Sequence, residues 1–177
     1  MPEEVLKAIA GRLHDDDSDV RAAAVKALAK LEHRVPEEVI KDIAGWLRDD
    51  DEHVRAVAVK TLTKLEDRLP EEVIKAIAGL LRDDDWMVRA AAVEALAVFK
   101  DRVPEEAIKD IAGRLRDDDW MVRAAAVKAL AVFKDRINDG LIKDIAGRLR
   151  DDDRKVRESA YRTLKIFYES GIPLPGQ

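Results

Sequence analysis

The sequence predicts an all-α fold, an α-solenoid made of five stacked helical hairpins. The first observation is a period of 34 residues, marked by evenly spaced prolines, with Asn138 in the fifth place. The prolines are Pro2, Pro36, Pro70 and Pro104. The second observation is the helical spacing of apolar residues in two segments of each copy. A single hairpin cannot bury both of its apolar faces, so the copies must stack around one continuous core.

The first helix of each copy is predicted to start at a Pro-Glu-Glu sequence. Proline suits the first helical turn because its missing N–H has no partner there, and the two glutamates complement the positive end of the helix dipole. In the first copy the apolar face consists of Val5, Leu6, Ile9, Ala10 and Leu13. Glycines recur inside these predicted helices, and close approach of another element is one explanation for them. They are Gly11, Gly45, Gly79, Gly113 and Gly147.

A fixed frame of three aspartates and a Val-Arg pair recurs in all five copies, and only the two residues inside it change. Its fullest form runs from Asp83 to Arg89. The triplet is predicted to end the first helix, and its third member, such as Asp17, to cap the second helix. That second helix is expected from about Ser18 to Glu32. Its apolar stripe is Val20, Ala24, Ala27, Leu28 and Leu31, and in the third copy Val88, Ala92, Ala95, Leu96 and Phe99.

The repeats predict one domain over residues 1–170 and a short C-terminal tail over 171–177. The repeat boundaries are expected at about 1–35, 36–69, 70–103, 104–137 and 138–170. The second helix of the last copy is more polar and is expected to face water. Its polar residues are Arg154, Lys155, Glu158, Ser159, Arg162 and Thr163. Tyr161, Phe167 and Tyr168 are expected to close the end of the core.

Composition narrows the classes of function. The chain has no cysteine, which excludes disulfides, thiolate metal sites and cysteine nucleophiles. Charged residues make up 39% with acids and bases interleaved and a net charge of -5, which argues against a nucleic-acid surface. No apolar run approaches the roughly 18 residues of a membrane span, and the N-terminus does not read as a signal peptide. We therefore expect a cytoplasmic protein.

The segment from Asp15 to Leu28 closely resembles the HEAT repeat, in the short form found in phycocyanobilin-lyase-like HEAT proteins, and the resemblance covers essentially the whole chain. It implies a right-handed solenoid with the second helices on the concave side. It also implies an Asp–Arg ladder between neighbouring repeats. The ladder positions would be Asp15 and Arg21, Asp49 and Arg55, Asp83 and Arg89, Asp117 and Arg123, and Asp151 and Arg157. The close similarity of the copies indicates a consensus-designed, engineered or recently duplicated array.

No pattern indicates catalysis, a metal or a cofactor. Asp15, Asp17 and Asp19 imitate the start of an EF-hand loop, but Val20 and Lys26 stand where a glycine and a bidentate glutamate are required. Helix capping and the ladder explain these aspartates better. The histidines are His14, His33 and His53, and none is spaced for zinc. Glu32-His33 and Glu52-His53 reverse the His-Glu order of iron-binding HEAT-like enzymes, so they are interpreted as surface residues. We expect a non-enzymatic protein.

The Trp-Met pairs are the strongest functional signal. Helical spacing places one stripe of the third copy and its counterpart in the fourth copy beside the core stripe. The stripes, with the adjoining methionines, are Trp86, Met87, Ala90, Glu94 and Val98, and Trp120, Met121, Ala124, Lys128 and Val132. In the first two copies the stripe is polar: Ser18, Ala22, Lys26 and Lys30, and Glu52, Ala56, Lys60 and Lys64. Since packed helices lie about 10 Å apart, the two Trp-Met pairs are expected to form one patch, and Ile166 to extend its apolar strip.

This patch predicts a concave-face site for a protein or peptide, because exposed tryptophan and methionine commonly anchor partners. Three alternatives remain. The tryptophans pack along an adjacent helix and stay half-buried, or the patch joins two copies in a homodimer. Less expected is a lyase-like or nucleic-acid-binding HEAT protein. Trp46 stands in a first helix, where we expect packing at the edge of the core.

Overall fold

The structure, a computed structural model, describes residues 3–30 and 35–174. The chain divides into two compact units, Met1–Phe99 and Lys100–Gln177, and each is described by itself. Some residues used in the predictions lie outside the described part of the chain, as does the side chain of Leu6. They are Pro2, Leu31, Glu32, His33, Arg34 and residues 175–177 of the tail.

The first unit consists of three helical hairpins. Its helices are α1 (Glu3–Gly11), α2 (Ser18–Ala29), α3 (Glu37–Gly45), α4 (Glu52–Thr63), α5 (Glu71–Gly79) and α6 (Trp86–Phe99). Each odd-numbered helix packs on the even-numbered helix that follows it. The second helices also pack in series, α2 on α4 and α4 on α6. The stacking of hairpins through their second helices is the arrangement that the 34-residue period predicts.

The second unit consists of two hairpins built in the same way. Its helices are α7 (Glu105–Gly113), α8 (Trp120–Val132), α9 (Asp139–Gly147) and α10 (Arg154–Glu169). The helix α10 packs on α8 as well as on α9. Within residues 3–30 and 35–174 all regular secondary structure is helical. The all-α class and the five hairpins are therefore confirmed, while the single domain over 1–170 stays a prediction.

The first helices begin one residue later than predicted. Pro36, Pro70 and Pro104 have extended backbones and precede the first helical residue, which is a glutamate in each case. The two glutamates lie in the first turn, as their charge requires. At α9 the side-chain oxygen of Asn138 accepts a hydrogen bond from the Leu141 N–H at 3.0 Å. Asn138 therefore replaces proline with a side-chain cap.

The glycines mark helix ends and not helix interiors. In every copy the first helix stops at its glycine, and a three-residue 3-10 turn leads to the aspartate triplet. The backbone of Gly79 is an ordinary right-handed helical one, with φ -59° and ψ -32°. A β-carbon built at any of the five positions would meet nothing within 4 Å. The explanation by close approach of another element is therefore wrong.

The apolar stripe predicted for the third copy forms the core of the first unit. Val88, Ala92, Ala95, Leu96 and Phe99 are all buried. The first copy follows the pattern less completely: Leu13, Ala24 and Leu28 are buried, Val20 is half-buried, and Val5 is exposed. Val39, the counterpart of Val5 in the second copy, is buried.

The helix α10 corrects two predictions about the last copy. Ser159 and Thr163 are buried, not exposed; the Ser159 hydroxyl donates to the Lys155 carbonyl at 2.8 Å and the Thr163 hydroxyl to the Val127 carbonyl of α8 at 3.3 Å. These bonds satisfy two buried hydroxyls, and the Thr163 bond joins α10 to α8.

The aromatic residues of α10 do not all close the core. Tyr161 and Tyr168 are 65% and 62% exposed, and only Phe167 is buried. The two tyrosines are seven residues apart and share the solvent face of the helix. Phe167 and Ala160 lie on another stripe, about 100° around the helix, and that stripe is buried.

Candidate functional site

The third aspartate of each triplet caps the second helix, as predicted. The Asp85 Oδ1 accepts hydrogen bonds from the N–H groups of Met87 and Val88 at 2.7 and 3.4 Å. The same position caps the second helices in the other copies through Asp17, Asp51, Asp119 and Asp153. These carboxylates satisfy N–H groups that have no partner inside the helix.

Within each unit the first aspartate of a triplet accepts hydrogen bonds from an arginine of the preceding hairpin, which forms a ladder. Arg123 donates through Nε and Nη2 to the two carboxylate oxygens of Asp151 at 3.0 and 2.8 Å. Its Nη1 donates to the carbonyls of Asp117 and Asp118 in its own turn. The equivalent pairs in the first unit are Arg21 with Asp49 and Arg55 with Asp83. Within each unit the ladder that the resemblance implies is confirmed.

The ladder fixes the ionisation of its carboxylates. Burial raises the pKa of Asp151, but the hydrogen bonds from Arg123 and from the Asp153 N–H lower it by more, to about 2. Asp49 has a lowered pKa through the same balance of burial against Arg21 and the Asp51 N–H. A carboxylate held this way by a guanidinium fork is structural, and its oxygens are already occupied.

His14 and Trp46 contact each other, and His33 lies outside the described residues. The His14 ring contacts the Trp46 ring at a centroid distance of 5.4 Å, and the Arg21 guanidinium lies 5.9 Å from the same ring. Trp46 is half-buried, as expected for packing at the edge of the core. His53 is exposed, and among the described residues no three acidic or histidine side chains are grouped to hold a metal ion.

The predicted Trp-Met pairs open the second helices of the third and fourth copies. Trp86 and Met87 are the first residues of α6, Trp120 and Met121 are the first residues of α8, and all four are half-buried. The Lys155 ammonium lies 4.7 Å from the centroid of the Trp120 ring. This half-burial agrees with the alternative in which the tryptophans pack along their surroundings. Since Trp86 and Trp120 belong to different units, the single patch stays a prediction.

A cavity of about 420 Å³ lies between α4 and α6 in the first unit. It brings together two of the predicted site residues, Glu94 and Val98, with two lysines of the polar stripe and with three small or polar residues that the sequence did not assign to a site. The full lining is Lys60, Thr63, Lys64, Ala91, Glu94, Ala95 and Val98. Residues 91, 94, 95 and 98 have the spacing of one helical stripe, so the signal was present in the sequence.

The walls of this α4–α6 cavity differ in charge. Lys60 on α4 and Lys64 at its C-cap are exposed, and Glu94 is exposed on α6. None of the three forms an ion pair among the described residues. Val98 is 39% exposed and supplies apolar surface. Trp86 lies eight residues before Glu94, about 12 Å along the helix, so the Trp-Met pair lies outside the lining, as does the half-buried Ala90.

In the second unit the predicted stripe is partly accessible. Lys128 is exposed and Val132 is 44% exposed, but Ala124 is only 4% exposed. Ala124 is therefore not the surface position that was predicted. Ala22 and Ala56 are buried in the same way and do not line an open groove. Ile166 on α10 is exposed, as an extension of the apolar strip requires.

A second cavity, of about 800 Å³, lies on the first helices of the second unit between α7 and α9. Its rim is largely satisfied internally: Arg136 donates to Glu105 at 2.6 Å and to the Val103 carbonyl at 2.8 Å. Its lining mixes apolar surface with groups that already have partners, and it offers fewer free charges than the α4–α6 cavity.

No helix in the described part of the chain is long and apolar enough to cross a membrane.

Comparison with solved structures shows what the chain resembles. An engineered protein matches at a TM-score of 0.59 and 23% identity, over 94% of this chain and 85% of the other. The complex of CpcE and CpcF of phycocyanin lyase from Nostoc sp. PCC7120 matches at 0.75 and 18% identity, over 97% and 68%. A designed armadillo repeat protein in complex with the peptide (KR)4 matches at 0.68 and 21% identity, over 93% and 82%. At these identities the likeness shows the fold alone.

No curated protein matches the sequence. The sequence model of HEAT repeats, in contrast, matches residues 3–97, 45–131 and 108–171, which together cover nearly the whole chain. The structure supplies the matching architecture: helical hairpins stacked through their second helices, with an Asp–Arg ladder inside each unit. The chain therefore belongs to the HEAT-repeat family.

Proposed function

We propose that the chain is a non-enzymatic scaffold that binds a protein or peptide on the surface of its second helices. The observation that carries the proposal is the α4–α6 cavity, with its apolar floor and unpaired charges at its rim. Such a combination suits a binding site, in which apolar contacts give affinity and a few polar groups give specificity. The Arg55–Asp83 contact joins the hairpins of α4 and α6, so a partner meets a preformed surface.

A relative in fold supports this kind of partner. The designed armadillo repeat protein is a helical repeat array in complex with a peptide, (KR)4. In solenoids the stacked helices form extended surfaces that such proteins use for binding. The same use of the second helices is proposed for this chain, with its own residues setting the choice of ligand.

The Trp-Met pairs are proposed as further anchors for a partner, one pair in each unit. Trp86 and Met87 precede the cavity on α6, and Trp120 and Met121 hold the same place on α8. Each keeps part of its side chain accessible. A half-buried tryptophan has a fixed orientation, so a partner loses little entropy in contacting its free edge. Ala90, Lys128 and Val132 complete the proposed contacts, while the buried Ala124 acts only as packing.

The absence of enzymatic activity is part of the proposal. The titratable groups that line the α4–α6 cavity are two ammonium groups and one carboxylate, from Lys60, Lys64 and Glu94. A nucleophile with an adjacent base and an orienting third group does not occur among its lining residues, and acyl transfer or hydrolysis needs such a set.

The test is selection of a displayed library of random peptides on the intact chain, followed by affinity measurements on matched variants. Val98→Lys places a charge on the cavity floor. It is expected to lower the affinity of the selected peptides by roughly tenfold or more, which is the effect of losing one buried apolar contact. Leu149→Lys is the control, because Leu149 is similarly exposed at 42% but lies in the second unit, outside the proposed site. Enrichment of no peptide, or equal loss in both variants, would contradict the proposal.

The anchors are tested by the double variant Trp86→Ala and Trp120→Ala with the same selected peptides. A loss of affinity beyond that of either single variant supports two anchors. Light scattering of the wild type and the double variant checks the homodimer alternative. A dimer that dissociates in the double variant would assign the tryptophans to self-association instead.

A further inference from the structure

We propose that the first unit binds an extended acidic peptide that carries one apolar side chain. The apolar side chain occupies the α4–α6 cavity, and acidic side chains lie over α2 and α4. This inference rests on the proposed function and specifies its ligand.

Four exposed lysines lie on α2 and α4 or at the C-caps of these helices. They stand in register with the lining of the α4–α6 cavity, because a shift of one 34-residue repeat takes Lys60 to Lys26 and Lys64 to Lys30. All four are exposed, and none forms an ion pair among the residues that the structure describes. Since α2 packs directly on α4, the four ammonium groups form one local positive surface on a chain whose net charge is -5.

These positions form two rows across the second helices, Lys26, Lys60 and Glu94 in one and Lys30, Lys64 and Val98 in the other. Both rows lose their lysine at α6. The counterpart of Lys26 and Lys60 is Glu94, and the counterpart of Lys30 and Lys64 is Val98. The cavity floor there is apolar, from Ala91, Ala95 and Val98. A carboxylate of a ligand is therefore attracted over α2 and α4 and repelled by Glu94 over α6, where an apolar side chain fits instead. Opposed preferences of this kind fix the register of a ligand as well as its composition.

The spacing of the helices gives the spacing of the ligand. Packed helices are about 8–10 Å apart, and a peptide in the polyproline II conformation advances about 3.1 Å per residue with three residues per turn, so residues three apart share one face and span about one repeat. An extended peptide that crosses α2, α4 and α6 therefore places an acidic residue, a second acidic residue three positions later, and an apolar residue three positions after that. The reverse order meets the same surface if the peptide runs in the opposite direction.

The probe is a fluorescein-labelled peptide with glutamate at the first and fourth positions, leucine at the seventh and serine or threonine elsewhere, made in both orders. Fluorescence anisotropy measures its affinity for the intact chain. Two comparison peptides replace both glutamates by lysine, or leucine by serine. The better acidic order is expected to bind roughly tenfold or more tightly than either comparison peptide. Its affinity is expected to fall as salt is added, because surface charges are screened.

The matched protein variants change the same number of charges in two places. Lys60→Glu with Lys64→Glu is expected to weaken the acidic probe by roughly tenfold or more, since attraction becomes repulsion at two contacts. Lys75→Glu with Lys109→Glu is the control, because Lys75 and Lys109 are exposed on the first helices α5 and α7. It is expected to change affinity by less than about threefold. Thermal unfolding followed by circular dichroism checks that both variants are folded.

The outcomes separate this inference from the proposed function. If library-selected peptides bind and lose affinity on Val98→Lys, but the acidic probe fails or the lysine peptide binds equally well, the inference is overturned and the proposed function stands. If no peptide of any charge binds, both are overturned. Equal binding of the acidic probe to the two double variants also overturns it. So does a homodimer that dissociates on Lys60→Glu with Lys64→Glu, because the occupant is then a second copy.

Discussion

The aspartate turns and the exposed rows of the second helices follow opposite rules. In the turns the same residues recur with the same contacts. Arg21, Arg55 and Arg123 each donate two hydrogen bonds to the carboxylate of the first aspartate in the next turn. On the exposed rows the contacts are few and the residues change from repeat to repeat. Lys60 of one copy becomes Glu94 in the next.

The difference shows where the fold constrains this chain. A turn that caps a helix and also holds a buried guanidinium has several atoms to satisfy, so few side chains can replace its members. An exposed position on a packed helix has no buried atoms to satisfy, so its residue can vary to suit the ligand that the chain binds. We therefore expect changes in the turns to alter stability and changes in the rows to alter binding, and the following experiments test that division.

The largest effect is expected from the ladder. Arg123→Ala leaves Asp151, whose side chain is 2% exposed, without its counterion. Breaking a buried pair costs roughly 3–5 kcal/mol, so urea unfolding followed by circular dichroism should show a loss of that order.

The control is Arg116→Ala in the same unit. The Arg116 side chain is 75% exposed and lies 3.5 Å from Asp144. Surface pairs contribute at most about 1 kcal/mol. Equal losses for the two variants would show that the ladder is no more important than a surface ion pair.

Acid should weaken the same contact. The pKa of Asp151 is lowered from 3.8 to about 2 in the folded protein. A lowered pKa gives stability that is fully present above about pH 4 and is lost as the pH falls to 2, an amount on the order of 2 kcal/mol. Urea unfolding of the wild type and of Asp151→Asn between pH 5 and 2 measures it. The difference between the two proteins should shrink across that range, and a constant difference would contradict the assignment.

A smaller effect is expected from the caps. Asp85→Ala removes the acceptor for the Met87 and Val88 N–H groups and should cost about 1 kcal/mol. Asp84 is the exposed middle member of the same triplet, so Asp84→Ala should stay within about 0.5 kcal/mol. Thermal unfolding of the two variants compares them under equal net charge. A reversed order would place the cap at the wrong aspartate.

The smallest effect has the opposite sign. Gly79 has a right-handed helical backbone with open space around its β-carbon position. Gly79→Ala should therefore stabilise the chain by about 0.5–1 kcal/mol, through a lower entropy of the unfolded state.

Gly171 is the matched glycine with a positive φ of 75°, which favours glycine. Gly171→Ala should destabilise its helix end by about 1 kcal/mol. Stabilisation by both substitutions, measured by thermal unfolding, would contradict the backbone argument.

The sequence predicts most of the fold because periodicity and capping are local properties. Asp85 and Val88 have the roles that their positions in the 34-residue frame predict. The ends of the first helices were harder to predict, because a glycine followed by a 3-10 turn has no pattern distinct from a continuing helix. The exposure of Tyr161 depends on which side of α10 meets α8, which the periodicity of a mixed polar helix left open.

The candidate site was predicted only in part. Glu94 and Val98 were found because they differ from the lysines of earlier copies. Ala91 and Ala95 were not found, because an alanine on a helical stripe has the same sequence pattern whether it packs in the core or forms the floor of a cavity. The depth of a cavity depends on how α4 and α6 pack together, and that is a tertiary property which no single repeat contains.

The central claim is that the varied rows of the second helices, and not the repeated turns, set the choice of ligand. The most direct measurement is the affinity of Glu94→Lys with Val98→Lys, which gives α6 the residues of α2 and α4. The account predicts that this variant changes its preference by roughly tenfold or more, from the peptide with leucine at the seventh position to one with glutamate there. An unchanged ratio of the two affinities, in a variant as stable as the wild type, would contradict the claim.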